Sequence, residues 1–210
     1  MPIGFLPNAE LCAEISTLSS SSAFRQSLRR LKPEKRREGL AYRDRSQLRF
    51  LPSLTPPLPK LLLDTTVYID ALQGRLAYDM EIVLRAGSLW HSTVTEAELA
   101  ALAGLLDPAH PDTESVIAQV AASIEARPAH RILTPDRDTW REAGILAGLL
   151  ARLQRYGKNE KRKALNDALI FLTASRNGCV VLTRNVSDFD LLMQLDSNGQ
   201  AVFYDTVQTQ

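Results

Sequence analysis

"NDALIFLTASRNGCVVLTRNVSDFDLL", residues 166–192, carries a helix, a stop, a strand and a polar turn in one stretch. Ala168–Ala174 is the apolar body of a helix, and Gly178 ends it, glycine being the residue that most easily leaves a helix through a left-handed turn. Cys179–Leu182 is then apolar without alternation, as in a strand covered on both faces. Polar residues follow at Thr183–Asp188. The same order occurs earlier in "LLLDTTVYIDALQG", Leu61–Gly74: an apolar run, an acid, and a helix pattern with Val67, Ile69, Ala71 and Leu72 apolar. Thr65 or Thr66 is expected to cap that helix, leaving Asp64 free.

Between these stretches, strand and helix patterns alternate. "SLWHSTV" reads as a strand, and "TEAELAALAGLL" as a helix with Thr95 as N-cap and Glu98 at capping-box spacing. "PDTESVIAQVAASIEA" is a second helix, "HRILTP" an extended piece, and "DRDTWREAGILAGLLARLQRYG" a long helix. "AVFYD" is a last strand. Alternation with mostly apolar strands predicts an α/β fold: a parallel β-sheet of about four to five strands with helices on both faces.

Residues 1–60 differ from the rest. They hold eleven Lys and Arg against five Asp and Glu, whereas residues 61–210 hold fourteen against nineteen. The stretch is Ser-rich, then basic, then carries four prolines in "LPSLTPPLPK". Its apolar content is too low for a core of its own. Two parts are therefore expected: a flexible or partly helical basic extension over 1–60, with a short helix near Ala9–Leu18, and a globular domain over 61–210. Two cysteines, Cys12 and Cys179, lie far apart and outside any Cys/His cluster, which argues against a disulfide framework or a structural zinc and for a reducing cytoplasm. No apolar run reaches the roughly 18 residues of a membrane span, so no membrane partner is expected.

In open α/β sheets, sites form beyond the carboxyl ends of the strands. Asp64 and Asp188 follow apolar strands, and Glu98 and Asp167 lie on helices that can reach the same edge. Each has an ordinary explanation as a cap or an early-turn acid. Together they form a carboxylate cluster, and a divalent cation relieves the repulsion within such a cluster. Oxygen donors suit Mg²⁺ or Mn²⁺, one or two ions, able to activate water and offset phosphodiester charge. Glu96, two residues from Glu98, points about 200° away around the helix and is left out. Asp70 and Asp190 are expected to face solvent, and His91 and Trp90 to be strand residues without a catalytic part.

The motifs "LLLDTTVYIDALQG", "STVTEAEL" and "NDALIFLTASRNGCVVLTRNVSDFDLL" resemble the successive motifs of PIN-domain ribonucleases, in particular VapC-type toxins of toxin–antitoxin pairs. The resemblance covers roughly residues 61–205. It implies a PIN-like fold and a metal-dependent endoribonuclease with an RNA substrate, a cognate antitoxin and a homodimer. It carries the acidic roles, catalytic and metal-binding, onto Asp64, Glu98 and Asp167. The fourth acid is assigned to Asp188, with Asn185 as a polar helper, because family members differ in which of the two positions is acidic. Thr66 is read as a support for Asp64, and Thr183 as a structural strand-end residue.

Lys158, Lys161, Arg162 and Lys163 precede Asp167, and Arg184 adjoins the last motif; these are the candidate RNA phosphate contacts. Two other functions compete. One is a catalytically silent PIN-like module that binds nucleic acid or serves as a scaffold. The other is a haloacid-dehalogenase-type phosphatase, since "LLLDTT" also places an acid after an apolar strand, with Thr66 where that chemistry needs a second acid.

Overall fold

The computed structural model describes residues 23–51 and 57–207, apart from the side chains of Lys158 and Asn159. The helix expected over Ala9–Leu18 and residues 52–56 of the proline run lie outside the described residues. Five strands form one sheet: β1 (Lys60–Leu63), β2 (Ser88–Ser92), β3 (Ile132–Leu133), β4 (Val180–Thr183) and β5 (Ala201–Phe203). Their order is β3-β2-β1-β4-β5 and every pairing is parallel. Among the described residues the helices are α1 (Ala23–Leu31), α2 (Thr65–Leu72), α3 (Tyr78–Ala86), α4 (Thr93–Leu105), α5 (Thr113–Glu125), α6 (Arg137–Leu153), α7 (Lys158–Arg176) and α8 (Val186–Leu195).

The apolar runs in the sequence are explained by burial on both faces. Leu62, Val181 and Phe203 point into one core with residues of α6, α7 and α8. Leu61, Leu63, Val180, Leu182 and Val202 point into the other, with Val67 of α2 and Met80 of α3. Neighbours along a strand face opposite ways, so a strand buried on both sides must be apolar at every position. The expected parallel α/β sheet with helices on both faces is the fold found.

Three local features depart from the sequence reading. Helix α3 was not anticipated; its N-cap Ala77 makes no side-chain capping bond, Met80 is its one buried residue, and Tyr78 and Ile82 are exposed. Helix α8 follows the polar turn directly and was hidden within the last motif. Helix α4 starts at Thr93, capped by the Ser92 hydroxyl on Val94 N (3.2 Å), and not at Thr95. Thr95 is buried, and its hydroxyl donates to the Leu63 carbonyl.

Residues 23–51 lack a core of their own but lie against the domain, where the sequence suggested a flexible arm. Ser27 donates to Glu142 (2.7 Å), and Arg30 pairs with Glu142 and with Asp196 (2.5 Å). Arg152 donates to the carbonyls of Pro33 (2.9 Å) and Arg36 (2.7 Å), holding the turn after α1. Gln154 and Gln194 donate to the carbonyls of Leu40 and Ala41. Phe203 N donates to Arg49 O (2.9 Å), so the segment also covers the free edge of β5. Leu31 and Leu51 enter the two cores. No helix among the described residues is long and apolar enough to cross a membrane.

Candidate active site

The chain extends the sheet from β1 to β2 and β3 on one side, then returns to build β4 and β5 on the other. The carboxyl ends of β1 and β4 therefore flank the point where the winding reverses, the usual place for a site in such sheets. Asp64 sits there, directly after β1, and is 2% exposed. It is itself the N-cap of α2, accepting from Thr66 N at 3.4 Å, so the expectation that a threonine caps this helix is corrected. Thr66 and Thr183 both donate their hydroxyls to Asp64 Oδ2, each at 2.7 Å. All three bonds fall on Oδ2; among the described residues Oδ1 accepts none. Capping and a free ligand atom thus coexist on one carboxylate.

Thr183 is therefore more than a strand-end residue. It is fully buried, it fixes Asp64 across the β1–β4 pair, and it accepts from Asn185 N (2.9 Å). Glu98 projects from the second turn of α4 and accepts from Thr65 Oγ1 and from Asn166 Nδ2 (2.8 Å). Burial raises the Glu98 carboxyl above its ordinary value, and these two donors only partly offset it. The sequence points to Thr65 only as a possible helix cap and gives Asn166 no role of its own, although both adjoin candidate site acids or their supports. Glu96 turns away to Arg127 (3.6 Å), as the helical spacing requires.

Asp167 lies in the middle of the nineteen-residue α7, which rules out a role as an early-turn acid. It is 4% exposed, and its one hydrogen bond among the described residues is a 3.3 Å contact from Asn185 Nδ2. Burial, then the charges of Asp64 and Asp188, push its carboxyl well above the usual range. Asp188 stands differently. Burial pulls it upward too, but Lys163 (2.7 Å), Asn185 (2.9 Å) and Tyr156 (3.1 Å) outweigh this and hold it below the usual range. Asn185 caps α8 and bridges Asp167 and Asp188 through Nδ2.

Asp64, Glu98, Asp167, Asn166 and Asn185 line one cavity of about 630 Å³, with Arg162 and Lys163 at its rim. Among the described residues no three His, Cys, Asp or Glu side chains are arranged as a ready-made metal cage. The donors nonetheless suit an open Mg²⁺-type site, in which one or two carboxylates bind and water completes the shell. The decisive observation is Asp167: a buried carboxylate with one long amide contact stands among acids, and the nearby Lys163 charge, itself paired with Asp188, only partly offsets them.

The profile of the PIN domain family matches residues 61–190. The chain belongs to the PIN domain family. PIN domains are generally metal-dependent nucleases. A sequence comparison with curated proteins finds no match. Among solved structures the PIN domain is similar to DNA-bound VapBC from Salmonella typhimurium, with 22% identity over 70% of this chain and 98% of that one and a TM-score of 0.49. It is also similar to VapBC2 from Rickettsia felis bound to a promoter DNA fragment, at 16% identity over 70% and 99% with a TM-score of 0.48. VapBC-5 from Mycobacterium tuberculosis matches at 21% identity over 70% and 100% with a TM-score of 0.46.

The family assignment removes the phosphatase reading, and Thr66 serves Asp64 in place of a second acid. Of the candidate phosphate contacts in this PIN domain, Lys161 and Arg162 are exposed and Lys163 is tied to Asp188. The Lys158 side chain is outside the described residues. Arg184 is committed by Nε to Asp70 (2.7 Å), which makes it a structural cation as well. Asp70 and Asp190 do not face solvent; both are buried, Asp70 against Arg75, Arg184 and Tyr204 and Asp190 against Arg43. His91 is buried on β2 and accepts or donates at Tyr68 OH (2.5 Å), without contact to the acids.

Proposed function

We propose that this PIN domain is a Mg²⁺- or Mn²⁺-dependent endoribonuclease and the toxin of a VapC-type toxin–antitoxin pair. The observation that carries the nuclease reading is the under-compensated Asp167 beside Asp64 and Glu98 in one cavity. The toxin reading rests on the resemblance of the motifs around Asp64, Glu98 and "TRNVSDF". It implies a cognate antitoxin and a homodimer as partners. Asp64 and Asp167 would hold the ion, with Glu98 and Asp188 beside them. When bound, such an ion acidifies a water and offsets the charge that builds on the phosphodiester.

The chain's own residues do the rest by positioning. Thr66 and Thr183 pin Asp64 Oδ2, leaving Oδ1 without a hydrogen bond among the described residues on a side chain that lines the cavity. Asn166 and Thr65 orient Glu98, and Asn185 spaces Asp167 from Asp188. Arg162 and Lys163 offer cations to a phosphate at the cavity rim. The purified protein is expected to cut single-stranded RNA with Mg²⁺ or Mn²⁺ and to stop with EDTA. Asp64→Asn is expected to abolish cutting with an unchanged circular dichroism spectrum. An Asp64→Asn protein that cuts like the parent sinks the reading, and a folded parent that binds RNA without cutting it points to a silent module.

A further inference from the structure

A second cavity, of about 540 Å³, opens beside the acids, and part of its wall comes from outside the PIN match. Thr66, Lys163 and Asn185 line both cavities, so the two adjoin. The added wall is Tyr42 and Arg43. Their backbone is fixed on each side: Gln154 holds Leu40 O, Gln194 holds Ala41 O, and buried Asp190 accepts from both Arg43 N (2.8 Å) and Arg43 Nε (2.5 Å). Between these clamps Tyr42 projects outward and is 60% exposed. Neither core uses its ring, so packing gives no reason for an aromatic residue here. An exposed aromatic ring on a clamped backbone beside a phosphodiester site is a surface on which a single-stranded nucleic acid can stack a base. Aromatic stacking contributes about 1–3 kcal/mol per base and tolerates any base.

We propose that residues 40–43 form a nucleotide subsite, with Tyr42 stacking a base of single-stranded RNA. This rests on the ribonuclease reading but is tested apart from it. Binding of a fluorescein-labelled single-stranded RNA of mixed sequence is measured by anisotropy in the full-length Asp64→Asn chain, alone and combined with Tyr42→Ala or Tyr42→Trp. Cleavage is measured in parallel with Asp64 intact. Tyr42→Ala is expected to weaken binding about tenfold and to raise KM about as much with kcat nearly unchanged, and Tyr42→Trp to restore both. Circular dichroism checks that each variant folds. Equal affinity of the Tyr42→Ala and Tyr42 chains overturns the subsite, as does equal weakening by Ala and Trp. Loss of antitoxin binding with RNA binding intact also overturns it and assigns the surface to a protein. Failure of the ribonuclease reading shows elsewhere, as cutting that survives Asp64→Asn or is absent from the parent.

Discussion

Asp167 and Asp70 are both buried carboxylates near the same edge of the sheet, yet their surroundings are opposite. Asp70, fully buried, accepts from Arg75 Nε and Nη2, Arg184 Nε and Tyr204 OH. Burial works against its ionisation, but Arg75, Tyr204 and Arg184 outweigh it and hold the carboxyl below the usual range. Asp167 has one long amide contact, and its carboxyl is driven well upward by burial, Asp64 and Asp188. Burial alone therefore does not mark a functional acid. An acid whose charge is fully answered by its own chain is structural. An acid whose charge is left unanswered beside other acids is waiting for a cation or a proton.

The largest effect should come from neutralising the unanswered acid. Asp167→Asn is expected to lower RNA cleavage by more than about 100-fold, since even partners that only orient a metal's ligands are worth roughly 10–100-fold. It should leave the apoprotein as stable as the parent or more so, because the substitution removes a buried carboxylate that its neighbours only partly compensate. Added Mg²⁺ should raise the Tm of the parent and not that of Asp167→Asn, because an ion that binds only the folded state stabilises it. Thermal melts with and without EDTA check both. A variant that melts far below the parent would show that Asp167 is structural and would dissolve the contrast with Asp70.

Asp70→Asn should reverse the pattern. It leaves Arg75 and Arg184 without their anion and is expected to cost on the order of 3 kcal/mol in urea denaturation. The sign with pH follows from the lowered carboxyl. Its contribution is fully present above the unfolded value of about 3.9 and is lost as pH falls through the lower folded value. The gap between parent and Asp70→Asn should therefore be widest near neutral pH and close only in strong acid. A gap that stays constant down to strong acid would mean that hydrogen-bond geometry, not charge, stabilises this cluster.

The sequence showed the sheet well and the site in part, for physical reasons. Apolar runs such as Leu61–Leu63 and Val180–Leu182 report burial on both faces without any knowledge of partners. The PIN motifs brought Asp64, Glu98 and Asp167 to one edge. What the sequence hid was pairing at long range. Asp70 and Asp190 look like surface acids on their own helices, and only the fold brings Arg184 and Arg43 to them across more than a hundred residues. The basic extension misled for the same reason: Arg30 and Arg43 read as loose positive charge, whereas both meet buried acids. Thr183 was undervalued because a threonine at a strand end is ordinary until its neighbour across the sheet is known to be Asp64.

That last residue gives the smallest and finest test. Thr183→Val keeps the shape, the β-branching and the burial, and removes one of two hydroxyls on Asp64 Oδ2. Thr66 still holds the same oxygen, so the carboxylate should loosen without being released. A fall of about tenfold in kcat is expected, the lower end of what orienting partners contribute, with a change in Tm of only a few degrees for about 1 kcal/mol. Thr183→Ser, which restores the hydroxyl, should recover most of the rate. If Val and Thr cut equally fast, Thr66 alone positions Asp64, and the bond across β1 and β4 serves only to satisfy a buried hydroxyl. If Val and Ser are equally slow, the methyl packing of Thr183 is what matters. The compensated and uncompensated acids would then differ in charge but not in how firmly the fold holds them.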